Sequence, residues 1–141
     1  MQPGDPRDLE HFVTAQAPVY ERVLCELRAG SKRSHWMWFI FPQIAGLGSS
    51  AMSQRYAIAS REEAAAYLAH PVLGARLEEC VKVVNAIEGR TVHEIFGSPD
   101  DMKFHSCMTL FAEAAPGDAG ILAALDKYFL GRRDPATLAR L

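Results

Sequence analysis

Two groups of residues in this chain have types and spacings suited to chemistry. The first is the stretch His35-Trp36-Met37-Trp38-Phe39-Ile40-Phe41-Pro42-Gln43, which holds both tryptophans and two of the seven phenylalanines. Tryptophan offers a large flat face and a single N–H donor. Trp38 could stack a planar ligand while His35 and Gln43, the polar ends of the run, read its edge. The loop that follows contains Gly46-Leu47-Gly48-Ser49-Ser50, whose backbone N–H groups could approach an anion. Two glycines in a loop are common, so this motif is weak alone. The plainer reading buries Trp36, Phe39 and Ile40 and leaves His35 and Gln43 to satisfy backbone groups.

The second group lies further along. Asp101, His105 and Thr109 are four apart and would share one helix face, with Lys103 and Ser106 three apart on a neighbouring face. Asp100 and Asp101 suit the positive end of a helix. The two aspartates are then either caps or acid–base or metal-holding groups, with Asp101 taken into the candidate site. Lys103 sits between Met102 and Phe104, where it could be partly buried. A buried lysine needs a carboxylate or a ligand anion; the plain alternative is a surface lysine with a snorkelling stem.

A cleft joining the two groups would divide the work. Trp38 would stack, Gln43 and Ser106 would hydrogen-bond, and Lys103 would neutralise an anion. Gly46, Gly48 and Ser49 would form the rim, and His35 or Asp101 would move a proton. Arg55 and Tyr56 could complete it, or could be surface charge and core edge. Aromatic plus cationic content points to a small-molecule partner, nucleotide-like or ADP-ribose-like, with enzymatic action left open. The rival expectation is a protein-interaction module presenting an aromatic groove.

Several classes lack their signatures. There is no dinucleotide fingerprint, P-loop, His-Glu-x-x-His or Gly-x-Ser-x-Gly. No two histidines stand at helical metal-site spacing, so neither a metal nor a cofactor is expected. Net charge is −2, and the isolated pairs Lys32-Arg33 and Arg132-Arg133 read as solvated charges, so no nucleic-acid partner is expected. The longest apolar run, Trp36 to Pro42, is too short to span a membrane. Cys25, Cys80 and Cys107 form no CxxC pair and read as small buried thiols of a cytoplasmic protein. A Cys107 nucleophile beside His105 is disfavoured, because residues two apart on a helix do not face each other.

The elements that must position these residues read as helices. At 141 residues, with 49% apolar and 23% charged content, the chain is long enough for one domain with its own core. Residues 1–7 are rich in Pro, Gly and Asp and are expected to be loose, with the domain over 8–141 and Asp8 capping the first helix. Ser34, Ser60, Thr91, Ser98 and Asp118 are further N-cap candidates, with capping boxes at Ser60–Glu63 and Thr91–Glu94. Gly30, Gly89 and Gly131 are stops. The aromatic run is placed as a buried helix at the centre of the core. No hairpin signal appears. The expected fold is all-α, a single globular domain of about seven to nine short helices in an irregular orthogonal bundle.

The runs Ala15-Gln16-Ala17-Pro18-Val19-Tyr20, Ser34–Gln43, Ala45–Ser50, Tyr56-Ala57-Ile58, Tyr67–Gly74 and Ile95–Lys103 resemble a bacterial family. It is the domain-of-unknown-function family eighteen-ten, and the likeness spans about residues 9–131. The resemblance implies a mainly helical fold and supplies no activity. The family pattern usually has Lys, Leu and a Ser pair before Met-Thr-Leu-Phe; Phe104 and Cys107 depart from it here. The family is sometimes labelled calpastatin. Calpastatin is a largely disordered chain, whereas this sequence is compact and capped, so the label is set aside.

Overall fold

The computed structural model describes residues 9–141; the expected loose segment and the Asp8 cap lie outside them. Among the described residues ten helices follow one another, where the sequence predicts about seven to nine: α1 (Glu10–Gln16), α2 (Tyr20–Arg28), α3 (Met37–Ile40), α4 (Ala51–Arg55) and α5 (Arg61–Ala69), then α6 (Leu73–Asn85), α7 (Val92–Phe96), α8 (Asp100–Ala114), α9 (Ala119–Phe129) and α10 (Pro135–Leu138). Among the described residues the only pairing of extended backbone is one parallel bridge between Ile44 and Ile58. No helix among them is long and apolar enough to cross a membrane.

Local chemistry sets many of the boundaries. Thr91 forms a full capping box with Glu94, and Asp118 accepts from the Ile121 amide. Ser60 caps α5, but the Glu63 carboxylate reaches the Ala59 amide, one residue short of a closed box. Two expected caps are not formed. Ser98 is replaced by Pro99 at the cap position of α8, which has no side-chain cap. Ser34 does not cap α3, whose cap position is Trp36, and its hydroxyl donates to Glu26 instead.

The helix at the centre is α8, not the aromatic run. All seven residues from Ser106 to Ala112 are buried, so α8 has no solvent face over that half. It packs against α5, α7, α9 and α10. The aromatic run is helical over only one turn, yet Trp36, Met37, Phe39, Ile40 and Phe41 are all buried. Phe104 joins the two elements. Its ring stands 5.0 Å from Phe41 at 90° and 4.7 Å from Phe96. Edge-to-face pairs of this kind add about 0.5–1.5 kcal/mol beyond area burial. Buried Gln16 supplies a second tie, donating to the Phe39 carbonyl at 2.7 Å and the Tyr67 hydroxyl at 3.0 Å.

One buried carboxylate shapes the segment before the aromatic run. Glu26 is 8% exposed. It accepts from the amides of Arg33 at 2.7 Å and Ser34 at 3.0 Å, from the Ser34 hydroxyl, and from Trp36 Nε1 at 3.0 Å. Burial alone would raise its pKa. The Ser34 hydroxyl, the two amides and the indole outweigh that and bring it from the ordinary 4.5 down to about 2. The same segment corrects the reading of Lys32 as a solvated charge. Its side chain is 8% exposed and pairs with Asp100 at 2.8 Å. Cys25 is likewise corrected. It is exposed, because Val23, Leu24 and Leu27 take the core side of α2, whereas Cys80 and Cys107 are buried.

Two measurements check this architecture. Phe104→Ala is expected to lower unfolding free energy by about 3–5 kcal/mol in urea titration. A near-neutral effect would remove Phe104 as the joint. Glu26→Gln is expected to cost about 2 kcal/mol at pH 7. The folded pKa of Glu26 lies below its unfolded value, so its contribution is full above about 4.5 and fades as pH falls towards 2. The gap between wild type and variant should close over that window; a pH-independent gap would count against the network.

Candidate functional site

Two adjoining clefts share a wall. The first, about 330 Å³, is lined by Lys32, His35, Met37, Trp38, Ser98, Pro99, Asp100 and Lys103. The second, about 320 Å³, is lined by residues that include Gln43, Leu47, Gly48, Pro99, Lys103, His105, Ser106 and Asp134. Pro99 and Lys103 belong to both. The walls come from distant parts of the chain. The Glu26-held segment and α3 carry Lys32, His35 and Trp38. The loop between Pro42 and Ser50 carries Gln43 and Gly48, and the Ile44–Ile58 bridge closes its base through Ile58 N–H to the Gln43 carbonyl at 2.9 Å and Ala45 N–H to the Ile58 carbonyl at 2.8 Å. The first turns of α8 bring Lys103 and Ser106. The chain before α10 brings Asp134.

Most of the residues singled out in the sequence meet here. Lys103 is a quarter exposed, with its ammonium 5.4 Å from the centre of the Trp38 ring and 3.8 Å from Asp100. His35 is exposed and Gln43 half-buried, and neither side chain makes a hydrogen bond among the described residues. Ser106 is buried, donating to Asp134 at 2.8 Å, so its hydroxyl proton is already placed. Of the glycine-serine rim, only Leu47 and Gly48 reach the cleft. Gly46 has φ +97° and lies against the Arg140 guanidinium, while the Ser49 carbonyl accepts from Gln54. Gly48 is held by space: a Cβ there would stand 2.5 Å from the Ser53 side chain.

Asp101 lies elsewhere. Its carboxylate sits 3.1 Å from His93 Nδ1 and also accepts from the Met102 amide. Residues two apart on a helix are turned by roughly 200°. With Lys103 facing the clefts, Asp101 faces α7. Of the neighbours Asp100 and Asp101, Asp100 lines the cleft. Tyr56 is buried, 5.3 Å from Phe39 in an edge-on contact, with Arg55 over its ring.

Four ionisable cleft residues lie outside the site assembled from sequence: Lys32, Asp100, His105 and Asp134. His105 stacks on Phe129 with centroids 4.0 Å apart. Its Nε2 lies 2.8 Å from the Arg132 carbonyl. A carbonyl only accepts, so Nε2 carries the proton and Nδ1 of the neutral ring keeps its lone pair. That nitrogen can accept a hydrogen bond or a proton. Asp134 accepts from Thr137 at 2.6 Å and from Ser106, while its amide donates to Thr109 at 2.9 Å. Burial pushes its pKa up. The hydroxyls of Thr137 and Ser106 and nearby His105 overcome this and hold it below the ordinary carboxylate range. The sequence marks Asp134 only as a helix-starting residue, through the proline that follows it.

Cys107 is fully buried and lines neither cleft, and burial pushes its thiol well above the ordinary range. The thiolate is the nucleophilic form, so full burial argues against Cys107 as a nucleophile. A separate cleft of about 300 Å³ lies beside the α5–α6 turn. Its polar groups are largely spent: His70 Nδ1 accepts from the Val72 and Leu73 amides, and Asp118 caps α9.

The twin cleft therefore combines an indole face, an incompletely paired ammonium, a free amide, a free imidazole and a second imidazole of fixed tautomer. It can hold a planar group against Trp38 and an anion at Lys103. It can also accept or move a proton at His35 or His105.

Comparison with known proteins bears on the whole chain. Among solved structures, a similar one is the crystal structure of the conserved hypothetical protein Rv1873 from Mycobacterium tuberculosis. The two are 57% identical, the match covers 97% of this chain and 98% of that one, and the TM-score is 0.95. A search of curated proteins finds no match. The profile of the family described as Protein of unknown function (DUF1810) matches residues 6–141. Family and fold agree with the resemblance carried by the aromatic run and by Ile95–Lys103, and this chain belongs to that family.

Proposed function

We propose that this domain binds a small molecule that combines a planar ring with an anionic group, nucleotide-like or ADP-ribose-like, in the twin cleft. The observation that carries the reading is the meeting at Lys103. Residues from the segment around His35 and Trp38 line one side of it, and Gln43, Gly48 and Ser106 line the other. Trp38 supplies the stacking face, and Lys103 leaves that face to pair with the anion. Gln43 offers both a donor and an acceptor. Ser106 acts through an oxygen lone pair, since its proton goes to Asp134. His35 is the proton-transfer candidate kept from the sequence. His105 joins it, and Asp101 leaves the assignment because it faces α7.

The rival reading, an exposed aromatic groove for a protein partner, has less support. Trp36, Phe39 and Phe41 are buried, and the exposed large apolar residues are Met102, Leu130, Leu138 and Leu141.

A thermal-shift panel of adenine nucleotides, ADP-ribose and sugar phosphates tests the proposal. At saturation a true ligand should raise the melting temperature by about 5 °C or more. Lys103→Ala should weaken that ligand roughly tenfold or more, as expected for a lost charge-assisted contact. A panel with no stabilising member, or an unchanged response in Lys103→Ala, would sink the reading.

A further inference from the structure

Charge in the twin cleft is balanced before any ligand arrives. Lys32 and Lys103 bring two positive charges, and Asp100 and Asp134 bring two negative ones. Lys32 is committed. Its ammonium donates to the Ser34 carbonyl at 2.6 Å and pairs with Asp100 at 2.8 Å. Lys103 is not. Its nearest carboxylate oxygen, on Asp100, is 3.8 Å away, beyond hydrogen-bond range, and its other contact is the Trp38 face.

Past Asp100, the amides of the first turn of α8 cannot substitute for a cation. The amides of Asp101, Met102 and Lys103 already donate to the carbonyls of Gly97 and Pro99. A ligand anion therefore meets one available ammonium with the Asp100 carboxylate beside it. A second negative charge on the same group would face Asp100 with no further lysine or arginine in the lining to match it. Close like charges repel strongly where water is partly excluded.

Given the ligand site proposed above, we infer that the site takes a group carrying a single negative charge, a phosphodiester or a carboxylate, and that Asp100 sets this limit. Asp100 is a specificity-determining residue. It holds Lys32 in place and opposes a dianion, and it need not touch the ligand to do so.

Three probes with one base and one sugar isolate the charge: adenosine, adenosine 3′,5′-cyclic monophosphate and adenosine 5′-monophosphate. The cyclic diester carries one negative charge, and the monoester carries about −1.5 to −2 at neutral pH. Their dissociation constants are measured by calorimetry at pH 7.5 and low salt. Wild type should bind the diester about fivefold or more tighter than the monoester, on the order expected for one unmatched charge at a few ångströms. Asp100→Asn keeps an acceptor for Lys32 and should bring that ratio to about one or below, with its fold checked by its melting curve. Tighter binding of the monoester by wild type overturns the inference without any variant. An unchanged ratio in Asp100→Asn overturns the part given to Asp100. Binding of adenosine alone overturns the charge rule and leaves ring binding standing. No binding of any of the three removes both this inference and the adenine form of the proposed function.

Discussion

The conformation of the segment before the aromatic run depends on one buried carboxylate. Removing Glu26 from water costs solvation unless donors replace it. Here the donors are two amides, a hydroxyl and an indole, all from Arg33 to Trp36. Since they are nearly consecutive, meeting them dictates the backbone path. That path turns Lys32 inward against Asp100 and leaves His35 outward at the cleft mouth. It also delivers Trp36 into the core one residue before α3 begins. Without the carboxylate, these four buried or half-buried donors would be left without that partner, and the first wall of the cleft would lose its geometry.

The two cleft lysines show how surroundings separate identical side chains. Lys32 has a carbonyl, a carboxylate and the Trp36 face, the last at 5.0 Å. Such a cation belongs to the scaffold. Lys103 has a distant carboxylate and one indole face. A cation–π contact of that kind contributes about 0.5–1 kcal/mol where solvent reaches it. A direct ion pair with good geometry can exceed that, so Lys103 can leave Trp38 for an anion. Uncovering the indole at the same moment frees the surface on which a ring would stack.

What could be read from the sequence divides by distance along the chain. Ser60, Thr91 and Asp118 were legible as caps because each bonds an amide three residues on. Ser34 was misread because its partner, Glu26, precedes it on another helix. The pattern of an N-cap is local; a long-range acceptor leaves no spacing signal. Lys32 looked solvated for the same reason, since Asp100 lies far along the chain. The choice between Asp100 and Asp101 turns on helix phase at an uncapped start, which periodicity resolves poorly. The aromatic run was legible as core through its composition. Its shortness as a helix was not, because a run apolar on every side carries no period. The centrality of α8 was hidden likewise. Its second half is buried all round, so no polar stripe marks its outer face.

That lack of an outer face gives the site two walls of unlike stiffness. Backbone amides between Ser106 and Ala112 are screened from water by neighbours on all sides, so their hydrogen exchange should require something close to global opening. Lys103 and Ser106 stand on or beside this slow-exchanging cylinder. The opposing wall, from Gln43 to Gly48, belongs to an excursion closed at its base by one bridge, with only a few main-chain bonds to resist local opening. Induced fit, if a ligand requires it, falls on the loop side. A ligand held there would meet fixed contacts at Lys103 and Ser106, and any adjustment to its shape would be made by the loop.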